Sequence, residues 1–248
     1  MIKERVRSLL PRTVRPHRIL AGPLRGAWLV TSWHDYPGGL TGRTERPLLE
    51  WFARHVRAGD TWLDVGAHVG YTAFALGRLV GPAGRVFAFE PVPVSAGCVD
   101  QGRLLNHLPQ ITVIPFGLGA PDSLEVRRLA LTRGMADATR TMTAASVATP
   151  VARFDWIWPM IAGADAPVHG IKIDVQGMEI ETLDGMRGAL QRWRPKLVVE
   201  LHAGVSRDDV LTLLAEAGYS RDAVPIEPAR GERTPRFLDD RSYAFNPA

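Results

Sequence analysis

Apolar positions follow a regular beat along most of this chain. Thr61–Val65 (TWLDV), Arg85–Glu90 (RVFAFE), Ile111–Phe116 (ITVIPF), Ile171–Val175 (IKIDV) and Lys196–His202 (KLVVELH) are short, nearly continuous apolar runs. Runs of this length predict strands covered on both faces. Between them, apolar residues recur at helical spacing over Tyr71–Val80, Val94–His107, Glu179–Trp193 and Arg207–Ala217, with shorter helices predicted at Leu48–Val56 and Phe154–Ile161. Strands alternating with helices in this way predict a parallel sheet joined by crossover helices.

The beat falters in two places. WLVTSWHDYPGGLTGRTE (28–45) mixes aromatics with turn residues and reads as loops and short strands. From about residue 121 to 150, LEVRRLAL is a strand candidate, and TRGMADATRTMTAAS reads as a polar, small-residue loop of the kind that moves beside a site. The tail holds two further strand-like pieces, Ala223–Ile226 and Arg241–Phe245. The expected organisation is a basic arm and substrate-side cap over 1–43, followed by one domain over 44–248.

Composition narrows the picture. The 248 residues suffice for one large core, and no apolar run approaches the roughly 18 residues of a membrane-spanning helix. One cysteine, Cys98, excludes an internal disulfide framework and a cysteine-based zinc cluster, and fits a reducing, cytoplasmic setting. The net charge of +4 hides an asymmetry: seven basic residues face only Glu4 within the first 25. Such an arm can meet nucleic acid, an anionic membrane or an acidic substrate. No aromatic residue interleaves it before Trp28, so no nucleic-acid partner is expected, and the arm reads as a solvated leader packed loosely on the domain. Oligomeric state is not written in the sequence; a homodimer is compatible with it.

Open parallel sheets bind ligands beyond the carboxyl ends of their strands. Those ends carry Asp64, Gly66, His68 and Gly70 after the first strand and Glu90 and Pro91 after the second. Gly117-Leu118-Gly119 follows the third, Asp174 and Gln176 the fourth, and Glu200 and His202 end the fifth. Glycines let backbone N–H groups approach a ligand, and the following helix presents its positive end. Glu90, twenty residues after Gly70, can accept hydrogen bonds from a ribose diol. The turn reads G-x-x-x-G after an acid, not the G-x-G-x-x-G of a dinucleotide site, and no phosphate-binding P-loop lysine is present. An acid in the turn suits a ligand with a cationic end, and S-adenosylmethionine carries an ammonium, a sulfonium, a ribose diol and an adenine. A nicotinamide oxidoreductase or a non-catalytic nucleoside-binding module fits the same turn less well.

With Asp174 in view, the chain resembles the FkbM-type S-adenosylmethionine-dependent methyltransferases. The likeness rests on LDVGAHVGYTAFAL (63–76), FAFEPVP (87–93), Asn106 with ITVIPFGLG (111–119), IKIDVQGMEIETLDGM (171–186) and RPKLVVELH (194–202), and runs from about residue 44 to 220. The resemblance implies an α/β, Rossmann-like class I methyltransferase fold: a seven-stranded, mostly parallel sheet with helices on both faces. It also implies methylation of a hydroxyl oxygen on a small molecule such as a sugar or polyketide, or on a macromolecule or lipid-linked glycan with the arm as docking element. Carried over by residue, Asp64, Gly66, His68 and Gly70 form the cofactor loop. Tyr71 and Thr72 lie beside the methionine carboxylate, Glu90 and Pro91 lie at the ribose, and Gly117 and Leu118 lie near the adenine. Asp174 faces the reaction centre. His68 stands where the family usually has Asn, and Gln176 where Glu is usual.

Methyl transfer from a sulfonium needs alignment and exclusion of water, and an unactivated hydroxyl also needs a base. Asp174 and His202 are the candidates. Asp174 with Glu200 could hold a divalent ion, but the neutral Gln176 argues against a metal. Glu179 and Glu181 open a helix, where acids complement the dipole. Acceptor pockets are expected from 28–45 and 121–150, with Trp28, Trp33 and Tyr36 as ring-binding aromatics, whereas Trp156 and Trp158 are expected in the core.

Overall fold

The computed structural model describes residues 7–132, 134–140, 145–228 and 237–248. In chain order its elements are β1 (Arg15–Arg18), β2 (Trp28–Thr31), α1 (Pro37–Thr41), α2 (Arg46–His55), β3 (Thr61–Val65), α3 (Tyr71–Val80), β4 (Arg85–Phe89), α4 (Pro93–Leu105) and β5 (Ile111–Ile114). Then come β6 (Gly117–Leu118), β7 (Glu125–Thr132), β8 (Met135–Asp137), β9 (Ser146–Ala152), α5 (Phe154–Ile161) and β10 (Gly170–Ile173). The chain ends with α6 (Glu179–Asp184), α7 (Arg187–Trp193), β11 (Lys196–Leu201), α8 (Arg207–Glu216), β12 (Tyr219–Pro225) and β13 (Arg241–Pro247).

Seven strands form the main sheet in the order β12-β13-β11-β10-β3-β4-β5. β5, β4, β3, β10 and β11 are parallel, while β13 runs antiparallel to both its neighbours. This is the expected mostly parallel sheet. Side chains alternate across it: Leu63, Val65, Phe87 and Phe89 pack with α5–α8, and Trp62, Val86 and Ala88 pack with α2–α4. Burial on both faces explains why these strands read as unbroken apolar runs.

Four departures have local causes. The predicted helix Glu179–Trp193 is two helices, because the Asp155 carboxylate accepts from the Gly188 and Ala189 N–H groups (2.8 and 3.0 Å) and starts α7 afresh. Segment 121–150 contributes β7–β9 to a second sheet, ordered β6-β9-β7-β8, and Met135–Asp137 of the supposed loop is a strand in it. Trp156 is 42% exposed, with the Arg153 guanidinium over its ring, so only Trp158 belongs to the core. The hairpin β1–β2 is not loosely attached: Ile19, Leu24 and Leu29 are buried with Phe52 and Phe74 in one apolar cluster. The Asn106 side chain also holds both backbone groups of Trp28 (2.8 and 2.7 Å).

Candidate active site

The chain leaves β3 towards β4 and β5 on one side and returns through β10 and β11 on the other, so strand order reverses between β3 and β10. A crevice opens where two such neighbours diverge. Asp64 of β3 and Lys172 of β10 are register partners. Both are buried, and Lys172 Nζ lies 3.6 Å from Asp64 Oδ1, 3.2 Å from Asp174 Oδ2 and 3.4 Å from the Gly66 carbonyl oxygen. Asp64 shares the face of Trp62, which turns it towards α3, and the Thr72 hydroxyl donates to its Oδ2 (2.7 Å). Burial alone would neutralise Lys172. The charges of Asp174, Asp64, Glu45 and Glu200 outweigh it and raise the ammonium's pKa. Burial raises the pKa of Asp64, against the charge of Lys172. In Asp174 the same burial is overcome by Lys172 and His202, which hold its pKa below the ordinary value.

The glycine turn is built differently from the sequence expectation. The N–H groups of Gly66 and Ala67 donate to the Phe89 carbonyl (2.9 and 3.0 Å), so they are engaged within the protein and do not point at a ligand. Gly66 (φ +84°) is needed because a Cβ there would lie 1.8 Å from the Asp174 carbonyl oxygen. The next donor is the His68 N–H, which reaches Glu90 Oε2 (2.7 Å), while the Val92 N–H reaches Glu90 Oε1 (2.9 Å). α3 begins at Gly70 with no side-chain cap, so its first-turn N–H groups remain orphaned.

One cleft gathers most of the predicted residues: Gly66, His68, Tyr71, Thr72, Glu90, Pro91, Gly117, Leu118, Asp174 and Gln176 line it. It encloses about 1060 Å³, open mouth included. Asp64 and Gly70 lie behind this wall, and His202 touches it through Asp174 and Gln176. Tyr36, Glu45, Met135, Lys172 and Glu200 also line the cleft. Of the aromatics expected at the acceptor, Tyr36 is there. Trp28 instead lies under Arg18, and Trp33 packs edge-on to His17.

Residues 64–221 match the Methyltransferase FkbM domain family. The chain belongs to the FkbM methyltransferase family. It is 29% identical over 186 residues to the hexuronic acid methyltransferase AglP of Haloferax volcanii, covering 74% of this chain and 73% of AglP. Its fold is similar to that of an FkbM methyltransferase from Methylobacillus flagellatus (18% identity, 79% of this chain and 50% of that one, TM-score 0.50). It is likewise similar to Aeropyrum pernix fibrillarin with natively bound S-adenosyl-L-methionine (16% identity, 94% and 82%, TM-score 0.50). The protein is a class I, S-adenosylmethionine-dependent methyltransferase.

The residues of this FkbM methyltransferase fit that cofactor. Asp64 Oδ1 accepts no hydrogen bond, but the Lys172 ammonium lies 3.6 Å from it and the carboxyl is wholly buried, so Asp64 backs the cleft wall rather than meeting a ligand. The orphaned N–H groups of α3 suit a carboxylate. Each Glu90 oxygen accepts one backbone N–H and keeps a lone pair for a diol. Burial pushes the Glu90 carboxyl up to about 8, against those two hydrogen bonds. Phe116, Leu118, Met135 and Met178 supply an apolar slot for a base.

Around the reaction end, His202 stands among three carboxylates. Its Nδ1 lies 2.6 Å from Glu179 Oε1, and its Nε2 lies 3.5 Å from Asp174 Oδ1 and 3.6 Å from Glu200 Oε1. Glu179 does more than begin α6: it is wholly buried and clamps this ring. Gln176, at a left-handed φ of 52°, turns its amide nitrogen to donate to Asp174 Oδ1 (3.2 Å) and His202 Nε2 (2.7 Å), the pattern of a neutral ring. Burial also favours neutrality. The hydrogen bond to Glu179 and the charges of Asp174, Glu179 and Glu200 outweigh both and raise His202 to about 9. The ring therefore favours the charged form at neutral pH, against the Gln176 contact. Glu200 is pushed up to about 8 by Asp174, burial and Glu45, against Lys172 and His202. Asp174, Glu200 and His202 bring potential ligand atoms within 4.8 Å of one another. The ammonium of Lys172 beside Asp174 opposes an added cation there.

These shifts share one sign. Glu90 and Glu200 hold a proton up to about 8 against 4.5 ordinarily, and His202 to about 9 against 6.5. The folded state thus binds more protons than the unfolded chain, and stability falls as pH rises through these windows. The melting temperature of the cofactor-free protein is expected to drop between pH 6.5 and 8, less steeply in Glu200→Gln. A flat or rising curve in a thermal scan would refute the assignment.

Proposed function

We propose that this methyltransferase acts on oxygen, at a hydroxyl of a sugar or related small molecule, free or carried on a glycan. The observation that carries the reading is the cluster of Asp174 and Glu200, which line the cleft, with His202 buried behind them. Removing a hydroxyl proton near neutrality needs an acceptor whose pKa lies there, and Glu200 is held at about 8. Asp174 is ionised and paired with Lys172, and His202 is charged below about 9. Both are therefore read as setting the charge and aim of Glu200, which takes the proton. The hexuronic acid named for AglP supports a saccharide acceptor.

S-adenosylmethionine supplies a methyl group already activated on a sulfonium. Tyr71, Thr72 and the start of α3 are read as holding its amino-acid end, with Asp64 behind them fixing the Thr72 hydroxyl. Gly66, His68 and Gly70 shape the loop, Glu90 and Pro91 receive the ribose, and Gly117 and Leu118 flank the adenine. Tyr36 is read as part of a substrate-side cap formed by 1–43. Among the described residues no helix is long and apolar enough to cross a membrane. Cys98, buried and free, suits a reducing, cytoplasmic setting.

Incubation with S-adenosylmethionine and a panel of hexopyranosides, hexopyranosiduronates and aminohexopyranosides tests this. The expected product is a methyl ether, one methyl heavier by mass and stable to mild alkali. An alkali-labile ester, or methyl on nitrogen alone, overturns the reading.

A further inference from the structure

A second cleft adjoins the first. It is lined by Glu45, Pro47, Leu48, Glu200, Ile226, Glu227, Asp240, Arg241 and Ser242. Glu45 and Glu200 line both clefts, so these two carboxyls form the wall where they meet. Methyl transfer needs the acceptor oxygen in contact with the sulfonium methyl, so an acceptor seated in the second cleft must present its hydroxyl to the first at this junction. Two of the four acids, Glu227 and Asp240, are exposed at the rim. The one basic side chain among the described lining residues, Arg241, donates its Nη1 to the Glu227 carbonyl (2.7 Å) and keeps its charge, which offsets one of the four acids. Ser242 Oγ donates to Glu200 Oε2 (3.2 Å) and fixes that carboxyl at the junction. Pro47, Leu48 and Ile226 give the cleft apolar surface.

Carboxylates accept hydrogen bonds from hydroxyl groups and repel other carboxylates. We propose that this second cleft seats the methyl acceptor, and that it selects a hydroxyl-rich ring bearing no negative charge. The proposal rests on the oxygen-methylation reading and deepens it. It also sets this chain apart from its relative AglP, whose acceptor is named as an acid. Glu45 and Glu200 meet the hydroxyl to be methylated, the apolar residues meet the C–H face of the ring, and Glu227 and Asp240 screen against anions.

The test compares a methyl hexopyranoside with the matching methyl hexopyranosiduronate, which differ only in a hydroxymethyl or carboxylate group. Titration calorimetry on the full chain saturated with S-adenosylhomocysteine is expected to show the neutral ring binding at least tenfold more tightly. The exposed double variant Glu227→Lys/Asp240→Lys is expected to shrink that ratio at least fivefold, with affinity for S-adenosylhomocysteine changed less than twofold. A uronate bound as well as the neutral ring, no binding of either, or a ratio indifferent to charge reversal overturns the proposal. A neutral ring that binds with this charge response but receives no methyl upholds the cleft and counts against oxygen methylation. A ring that is methylated while its binding ignores the reversal upholds oxygen methylation and overturns the cleft.

Discussion

Lys172→Met is expected to cost about 3–5 kcal/mol of stability and to abolish methyl transfer. The ammonium is the counter-charge shared by Asp64 and Asp174, both within 3.6 Å of it. Removing one partner of a buried ion pair leaves the others charged and unpaired in a medium that solvates them poorly. Asp64 has the hydroxyl of Thr72 as compensation, but its other oxygen has no donor. Its carboxyl would then be driven to hold a proton, and the buried wall behind the crevice, where Lys172 also meets Asp174 and the Gly66 carbonyl, would rearrange. The companion variant Asp64→Leu/Lys172→Met removes the innermost pair, leaves Asp174 with His202, and is expected to recover part of the lost stability, with no activity returned. Urea unfolding followed by circular dichroism checks both. A loss below about 1 kcal/mol in the single variant, the range of an exposed ion pair, would show that the three charges are not the closed group described.

Gly66→Ala is expected to be nearly as severe for a different reason. A left-handed φ of +84° strains any side chain, and the new methyl would also sit 1.8 Å from the Asp174 carbonyl oxygen. The loss is at least about 2 kcal/mol from backbone strain alone. The clash is backbone against methyl, so relief requires β3 and β10 to part at their carboxyl ends. That displaces Asp174 from Lys172 and opens the crevice, and kcat/KM is expected to fall more than a hundredfold. Gly70→Ala is the control. Its φ is also positive, +90°, but the nearest atoms belong to the Phe74 ring, which can shift. It is expected to weaken stability while keeping more activity. Equal kcat/KM in Gly66→Ala and wild type would mean that the approach of the two strands does not shape the site.

Much of this was legible in the chain. β3, β4, β10 and β11 read as apolar runs because both faces are covered, and the polar groups ending them converge on one cleft. Positions 64, 66, 90 and 174 stood out as acids or a glycine at the ends of apolar runs; only the structure shows that Gly66 is there for the close approach of the Asp174 carbonyl. What stayed hidden depends on partners distant in sequence. The break at Gly185 comes from an Asp155 carboxylate that no local pattern announces. Lys172 looked like an ordinary residue in a strand; only its register with Asp64 shows that it is the charge on which two acids depend. A lone lysine inside an apolar run beside a strand carrying a lone aspartate was the available signal. His202 was legible as a polar group ending a strand. Its three surrounding carboxylates, which change it from a base to a cation, come from α6, the loop after β10 and β11, and meet only in the fold. The second cleft unites the start of α2 with the ends of β12 and β13, segments that had no shared signature.

A crystal structure with S-adenosylhomocysteine is the decisive measurement on the crevice between β3 and β10. The ribose hydroxyls are expected within hydrogen-bond distance of Glu90, the amino-acid end at the start of α3, and the sulfur facing Asp174 and Glu200. Density for the cofactor elsewhere, or with its ribose away from Glu90 in this crevice, would contradict this placement.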